Sequence, residues 1–440
     1  MVHLFGQLES GRSFLALERR SVPHFFVRAE DAARAAELGA APLTPTHRVT
    51  LEREPVVRVE VPVPAAMGEL AARLMGSGID SFEADLRFAQ RYLIDRGIRG
   101  AVAIEGPRRP GEGIDLIFED PVLTPASFAP RLRVLSFDIE TDPQARRLLA
   151  ISLHGCGASE VLLLTPSGFS CPPGAIPFAS EAELLAGFCR RVRELDPDVL
   201  TGWNVIDFDL AVLERIAARL DIPSGLELGR GRGALHLQTQ TARSPWLSSR
   251  ASVPGRVVLD GIQLLRGAAV RMEEYSLDFV ARAVLGEGKV VGGSDRAEEI
   301  LRMFKEDRPR FVAYSLTDAR LVLEILERLR LVELAVEHSL LTGLTPDRMG
   351  SSVAAFEFLY LSELARRGFV GPSAPTSRGR GPGEGAGGVG VSAGGAGGGG
   401  DARAAEESDP EPMLGGHVLE PEPGLYRNVL VFDFLHEHPQ

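Results

Sequence analysis

The sequence has 440 residues, 44% hydrophobic and 25% charged, as expected for about two to four globular domains. Its formal net charge of -12 argues against a protein that coats DNA non-specifically, although it leaves room for a local basic groove. Neither an apolar run of roughly eighteen residues nor a signal-peptide layout is present, so we expect a cytoplasmic protein with no membrane partner.

The first 130 residues alternate short strand-like and helical patterns. Residues 56–61 alternate apolar and polar side chains like a strand, and residues 67–75 have apolar side chains at helical spacing. We therefore predict an N-terminal α+β domain over residues 1–130, in which the sequence alone names no chemistry.

Residues 131–350 alternate strand and helix patterns more regularly. Residues 133–139, 150–154 and 161–164 are apolar runs typical of buried strands, and Glu181–Leu195 has apolar side chains at helical spacing. This alternation predicts an α/β domain with a mixed sheet covered by helices. The cysteines, three in all, have no C-x-x-C spacing, so we expect free thiols and neither a zinc site nor a disulfide framework.

Two carboxylates follow the first strand of this domain. In Phe137-Asp138-Ile139-Glu140-Thr141, Asp138 and Glu140 are two positions apart and point to the same face of a strand. Two like charges buried together need a cation, and hard oxygen ligands favour Mg²⁺ or Mn²⁺. The pattern taken alone is also common among surface acids.

A second acidic pattern, Asn204-Val205-Ile206-Asp207-Phe208-Asp209, lies between a predicted strand at 199–200 and a helix with apolar residues from 210 to 220. Asp207 is also explained as an acid that favours a helix N-terminus. Asn204 is one of only two asparagines in the chain. That scarcity makes a functional interpretation of the pattern more attractive.

The third pattern is Tyr314-Ser315-Leu316-Thr317-Asp318 inside a predicted helix. Tyr314 and Asp318 are four positions apart and lie on one helical face, so the phenol and the carboxylate can address the same point. A surface pair on an amphipathic helix has the same spacing.

The composition changes after the next helix, predicted over residues 351–371. Residues 372–416 are dominated by small and acidic side chains, which bury too little area to offset the entropy of ordering, so we predict a disordered Gly-rich linker. Residues 417–440 contain one more strand pattern that ends at Asp433.

The three patterns in this order resemble the exonuclease motifs of family B DNA polymerases, of the bacterial DNA polymerase II type. Further similar segments are Val257-Val258-Leu259-Asp260-Gly261-Ile262, Tyr275-Ser276-Leu277, Leu285-Gly286-Glu287-Gly288-Lys289 and Gly350-Ser351-Ser352-Val353-Ala354-Ala355-Phe356. The resemblance runs from about residue 79 to residue 434, apart from the Gly-rich insert. It implies a ribonuclease H-like fold for residues 131–350.

The resemblance also implies a proofreading 3'-5' exonuclease, acting in DNA replication and repair on single-stranded or frayed 3' ends. Asp138, Glu140, Asp209 and Asp318 would hold two Mg²⁺ or Mn²⁺ ions, the arrangement used for phosphodiester cleavage. Tyr314 would orient the attacking water, and Ala313 fits the tyrosine subclass of these enzymes. Asn204 and Phe208 would contact the terminal nucleotides. A sliding clamp is a candidate partner of the full-length enzyme.

The last residues depart from the family. Residues 429–434 resemble the opening of the polymerase palm, where Asp433 matches a metal ligand, but the following Ser-Leu-Tyr-Pro segment of the family is replaced by Leu435-His436-Glu437-His438-Pro439-Gln440. We therefore expect Asp433 to be an orphan ligand in a palm stub over residues 417–440, and polymerisation to be absent. Truncation and a frameshifted reading frame both explain this. A stand-alone DnaQ-like exonuclease and a non-catalytic DNA-binding remnant remain alternatives.

Overall fold

The computed structural model describes residues 1–222, 224–231, 233–238, 249–288 and 296–373. The predicted Gly-rich linker beyond Ser373, the palm-like strand and Asp433 lie outside the described residues. The boundaries of the predicted domains stay a prediction.

In chain order the elements of the N-terminal region are β1 (Val2–Gln7), β2 (Ser13–Glu18), β3 (His24–Arg28), α1 (Ala32–Glu37), β4 (Leu43–Val49), β5 (Pro55–Glu60), α2 (Ala65–Gly76), β6 (Ser81–Phe82), α3 (Phe88–Asp95), β7 (Val102–Glu105), β8 (Arg108–Arg109), β9 (Leu116–Glu119) and β10 (Val122–Pro125). The strands form two four-stranded sheets, of order β1-β2-β9-β8 and β4-β5-β3-β6, and the pair β10-β7. Their hydrophobic cores are separate, one of them formed mainly by β3, β5 and α2. The mixture of sheets and helices agrees with the predicted α+β character.

The region after β10 has a central strand of eight residues and helices around it. Its elements are β11 (Val134–Thr141), β12 (Leu148–Gly155), β13 (Ala158–Leu164), β14 (Ala175–Phe178), α4 (Glu181–Leu195), β15 (Val199–Gly202), a π-helix (Val205–Leu210), α5 (Ala211–Arg219), β16 (His236–Gln238), β17 (Arg250–Ser252), β18 (Val257–Asp260), α6 (Gly261–Gly267), α7 (Leu277–Leu285), α8 (Arg296–Glu306), α9 (Arg308–Arg328), α10 (Leu331–Thr342) and α11 (Ser352–Arg367).

A mixed six-stranded sheet of order β14-β13-β12-β11-β15-β18 organises this region. β11 is antiparallel to β12 and parallel to β15, and β15 is parallel to β18. Phe137 packs against Phe188 of α4, whereas the adjacent Asp138 lies beside Asp318 of α9. Because successive strand residues point to opposite faces, α4 and α9 cover opposite faces of the sheet. The predicted mixed-sheet α/β architecture is confirmed.

Local sequence signals explain where the covering helices begin. The Ser180 hydroxyl caps α4 by accepting a hydrogen bond from the Glu183 N–H at 3.2 Å. Asp307 caps α9 in the same way, accepting from the Arg310 N–H at 3.1 Å. Helix α4 has the predicted bounds.

The helix predicted from residue 210 is α5, which begins at Ala211. The acidic segment before it, residues 205–210, forms a π-helix that the sequence patterns do not predict. Asn204, immediately before it, has φ 59° and ψ 32°, in the left-handed region where asparagine is enriched. This backbone conformation is one reason for an asparagine here.

Two expectations about the chain concern cysteines and membranes. Cys156, Cys171 and Cys189 are all free thiols, as predicted. Over the described ranges, every helix is too short or too polar to cross a bilayer.

Candidate active site

Strand β11 presents the first two predicted carboxylates side by side. Asp138 is half-buried and Glu140 is buried, and both occupy the same face near the carboxyl end of the strand. β11 is one of the inner strands of the sheet: it pairs with β15 over residues 134–136 and with β12 over residues 135–141, so β12 holds the backbone at both carboxylates. The two carboxylate side chains therefore project from a rigid strand backbone.

Helix α9 carries the third carboxylate to the same point. Ligand oxygens of Asp138, Glu140 and Asp318 all lie within 4.8 Å of one another. Asp318 is 1% exposed and is separated from Glu140 by more than 170 positions in the sequence. Three carboxylates in one largely buried place repel one another unless cations share them, and an all-oxygen set suits Mg²⁺ or Mn²⁺. The donor set fits a divalent cation.

Tyr314 lies one turn before Asp318 on α9. Its hydroxyl donates to Oδ2 of Asp318 across 3.4 Å, and the tyrosine is buried. The spacing in the sequence had suggested that the phenol and the carboxylate address one point, and the structure has this arrangement. The phenol is thus held against the carboxylate group.

Asp209 lies at the edge of this group and is not one of the three clustered carboxylates. Its Oδ1 accepts a hydrogen bond from the Ile139 N–H at 3.0 Å. The pairing of β11 with β15 ends at Ser136, so the Ile139 N–H donates to this side chain instead of to a neighbouring strand. The expected convergence of four carboxylates is therefore seen for three, with the fourth attached to the backbone between two of them.

The pKa of Asp209 reflects its burial beside the carboxylate group. The residue is 2% exposed. Burial, and then the nearby charge of Asp138, raise the pKa of Asp209 well above its usual range, while the N–H of Ile139 opposes the shift. A buried carboxyl next to other carboxylates is poised to be stabilised in its ionised form by a cation.

Of the two predicted nucleotide-contacting residues, Asn204 directly precedes the π-helix and Phe208 lies within it. Asn204 is exposed, and its carbonyl accepts a hydrogen bond from the Phe208 N–H at 3.0 Å. Phe208 leaves 42% of its surface exposed although it directly precedes the buried Asp209. An exposed aromatic ring beside a carboxylate cluster offers a face on which a nucleobase can stack.

A further acid, Asp260, supports the site and was not among the predicted site residues. It ends β18, is 3% exposed, and its Oδ2 accepts from the Ile206 N–H in the π-helix at 3.4 Å. Burial raises the pKa of Asp260, and three backbone N–H groups act in the other direction. An Asp directly after an apolar strand and before a helix is the signal for a helix cap that would have drawn attention to it.

Comparisons with known proteins agree with this geometry. A family model described as "DNA polymerase family B, exonuclease domain" matches residues 79–280. DNA polymerase II of Escherichia coli K12 is 31% identical over 403 residues, which are 90% of this chain and 46% of that protein. The DNA polymerase delta catalytic subunit of Bos taurus is 29% identical over 376 residues, 74% of this chain and 34% of that subunit. The chain thus spans less than half the length of these relatives.

A solved structure shows the same fold. The family B DNA polymerase of the hyperthermophilic archaeon Pyrobaculum calidifontis superposes with a TM-score of 0.69, over 86% of this chain and 50% of that one, at 23% sequence identity. At this identity the similarity concerns the fold alone.

Proposed function

We propose, because residues 79–280 match the exonuclease domain of family B DNA polymerases, that this chain is the N-terminal and proofreading part of such a polymerase. Its reaction would be the removal of nucleoside monophosphates from DNA 3' ends. The domains proposed are 1–130, 131–350 for the exonuclease, a helix over 351–371, a linker over 372–416 and a palm stub over 417–440. The observation that carries the proposal is the group of three carboxylates within 4.8 Å, drawn from two distant elements.

The proposed metal ligands are Asp138, Glu140, Asp318 and Asp209, holding two Mg²⁺ or Mn²⁺ ions. When bound, such ions lower the pKa of a water molecule and stabilise the departing 3' oxygen. The support for Asp209 is its burial beside Asp138. Burial, and then the repulsion from Asp138, raise the pKa of this carboxyl, and a bound cation would oppose both effects.

The remaining side chains would position the substrate. Tyr314, held by its contact with Asp318, orients the attacking water through its hydroxyl. Phe208 packs against the terminal base, and Asn204 contacts the terminal nucleotides. Since a mispaired end unpairs at a lower cost than a paired one, selectivity for errors follows partly from the DNA itself.

A cleavage assay with the full chain tests the proposal. A single strand labelled at its 3' end is incubated with Mg²⁺ and either the unchanged chain or the Asp138→Ala variant. We expect release of labelled nucleoside monophosphate by the unchanged chain only. Equal activity of the two proteins, or no activity from either, would contradict the catalytic proposal and favour a non-catalytic DNA-binding remnant.

The same assay on a duplex distinguishes proofreading from general trimming. We expect a mispaired 3' terminus to be shortened faster than a paired one of the same sequence context. Equal rates would contradict the proofreading role and indicate general trimming of 3' ends. A sliding clamp is proposed only as a partner of the longer enzyme.

A further inference from the structure

The carboxylate of Asp260 joins two elements of the site region. Its Oδ1 accepts from the N–H groups of Ile262 and Gln263, at 3.0 and 3.1 Å. Its Oδ2 accepts from the N–H of Ile206 at 3.4 Å. One side chain thus caps α6 and also bonds the second residue of the π-helix.

The sheet topology explains how this double contact arises. β15 and β18 are parallel neighbours, and Gly202 is in register with Asp260. The carboxyl ends of parallel strands meet at the same edge of a sheet, so the segment after β15 passes directly over the end of β18. That segment is the π-helix that carries Asp209.

Capping alone does not require an aspartate at this position. Elsewhere in the chain serine caps helices, as Ser180 does for α4 and Ser276 for α7. A serine hydroxyl at position 260 could cap α6 but would be too short to reach Ile206 as well. The second oxygen of the carboxylate, placed in a site where burial is costly, therefore points to a second task.

We infer that Asp260 is a positioning residue for the exonuclease site, holding the π-helix so that Asp209 meets the backbone of β11. The inference rests on the proposed function. Asp260 acts on the reacting atoms only through the backbone of Ile206 and the two residues that separate Ile206 from Asp209. Because the π-helix is short, release of its first turn lets the Asp209 carboxylate move away from the Ile139 N–H.

The decisive variant is Asp260→Ser, which keeps a cap for α6 and removes the contact with Ile206. We expect kcat on single-stranded DNA to fall by about 10- to 100-fold, as for residues that orient metal ligands. KM for DNA should rise as well, because Phe208 lies on the same π-helix and is displaced with it. Hydrogen exchange at the Ile206 amide should become faster.

The matched control is Ser180→Ala, which removes the cap of α4, a helix that carries none of the proposed site residues. Its kcat should equal that of the unchanged chain. If Asp260→Ser cleaves at the normal rate, if its Ile206 amide stays protected, or if Ser180→Ala loses as much activity, the inference is overturned. Should Asp260→Ser not fold, Asp260→Asn decides by the same readouts, since one amide oxygen cannot serve both contacts fully.

These measurements distinguish failure of the positioning role of Asp260 from failure of the proposed function. An unchanged chain that releases no nucleotide contradicts the function, whatever the Asp260 variants do. The exchange rate at Ile206 needs no activity, so it tests the contact independently. Normal cleavage by the unchanged chain and by Asp260→Ser contradicts the positioning role only.

Discussion

The backbone N–H of Ile139 donates a hydrogen bond of 3.0 Å to Oδ1 of Asp209, and so joins β11 to the π-helix across 70 positions of sequence. Ile139 lies between Asp138 and Glu140, so this bond places the π-helix next to the two strand carboxylates. The contact replaces a strand-to-strand bond, since β15 stops pairing with β11 at Ser136.

Asp209→Asn should separate stability from activity. The amide oxygen can still accept from Ile139, but the variant has no buried charge, so we expect loss of cleavage together with a more stable metal-free protein at pH 8. The raised pKa of Asp209 means that its ionised form destabilises the folded state. That penalty is absent below the unfolded-state pKa and grows as pH rises towards the folded-state pKa.

Urea denaturation at a series of pH values tests the direction of this stability change. The stability advantage of Asp209→Asn should be small near pH 4, increase with pH and then level off. A variant that is less stable than the unchanged chain at pH 8 without metal would show that the charge of Asp209 is already compensated within the fold.

Divalent ions should stabilise the unchanged chain in thermal unfolding. A metal that binds only the folded state at 100 times its dissociation constant adds about 2.7 kcal/mol. Glu140→Gln should lose most of this response to Mg²⁺ or Mn²⁺. Asp207→Asn is the matched control, since this acid is exposed and lies outside the carboxylate group; an equal loss there would indicate a diffuse charge effect instead of a defined site.

Tyr314→Phe should lower the single-turnover rate by about 100-fold, the size expected when a reacting group is misplaced by about 1 Å. The metal-induced rise in melting temperature should persist, because Asp318 is retained. Tyr92→Phe removes another buried hydroxyl, on α3, which carries none of the proposed site residues, and should leave the rate unchanged. A Tyr314→Phe rate equal to that of the unchanged chain would remove the phenol from the mechanism.

Phe208→Ala should weaken DNA binding without destabilising the fold. Base stacking on an aromatic side chain contributes about 1 to 3 kcal/mol per base, so KM for single-stranded DNA should rise roughly 5- to 150-fold. The ring is 42% exposed, so the free energy of unfolding should change by about 0.5 kcal/mol or less. Phe356→Ala, an exposed phenylalanine on α11, provides the comparison and should leave KM unaltered.

The buried Arg230 should matter more for stability than an exposed arginine does. Its guanidinium donates to Asp196 at 2.7 Å and to Asp198 at 2.8 Å, with 4% of the side chain exposed. Arg230→Ala leaves Asp198 buried without this partner, so we expect a loss of about 3 to 5 kcal/mol in chemical denaturation. Arg366→Ala breaks an exposed pair with Glu363 and should change the free energy of unfolding far less, because solvent screens this pair. Similar losses in both variants would refute this distinction.

Local patterns in the sequence were enough to identify much of the fold. The apolar spacing of Glu181–Leu195 and the runs around β11, β12 and β13 predicted those elements, because period and burial depend mainly on nearby residues. The pairing of Asp138 with Glu140, and of Tyr314 with Asp318, also followed from strand and helix periodicity alone. Their juxtaposition was expected only through the resemblance to a family.

Tertiary structure determined the contacts between distant residues that local periodicity does not encode. The π-helix before α5 exists where the chain must pass over the end of β18, and its contact with Asp260 joins residues 54 positions apart. The position of Asp209 outside the group of three carboxylates depends on where β15 stops pairing with β11. Contacts of this kind arise from strand order and register, which are set by packing over the whole sheet and leave no periodic trace in the sequence.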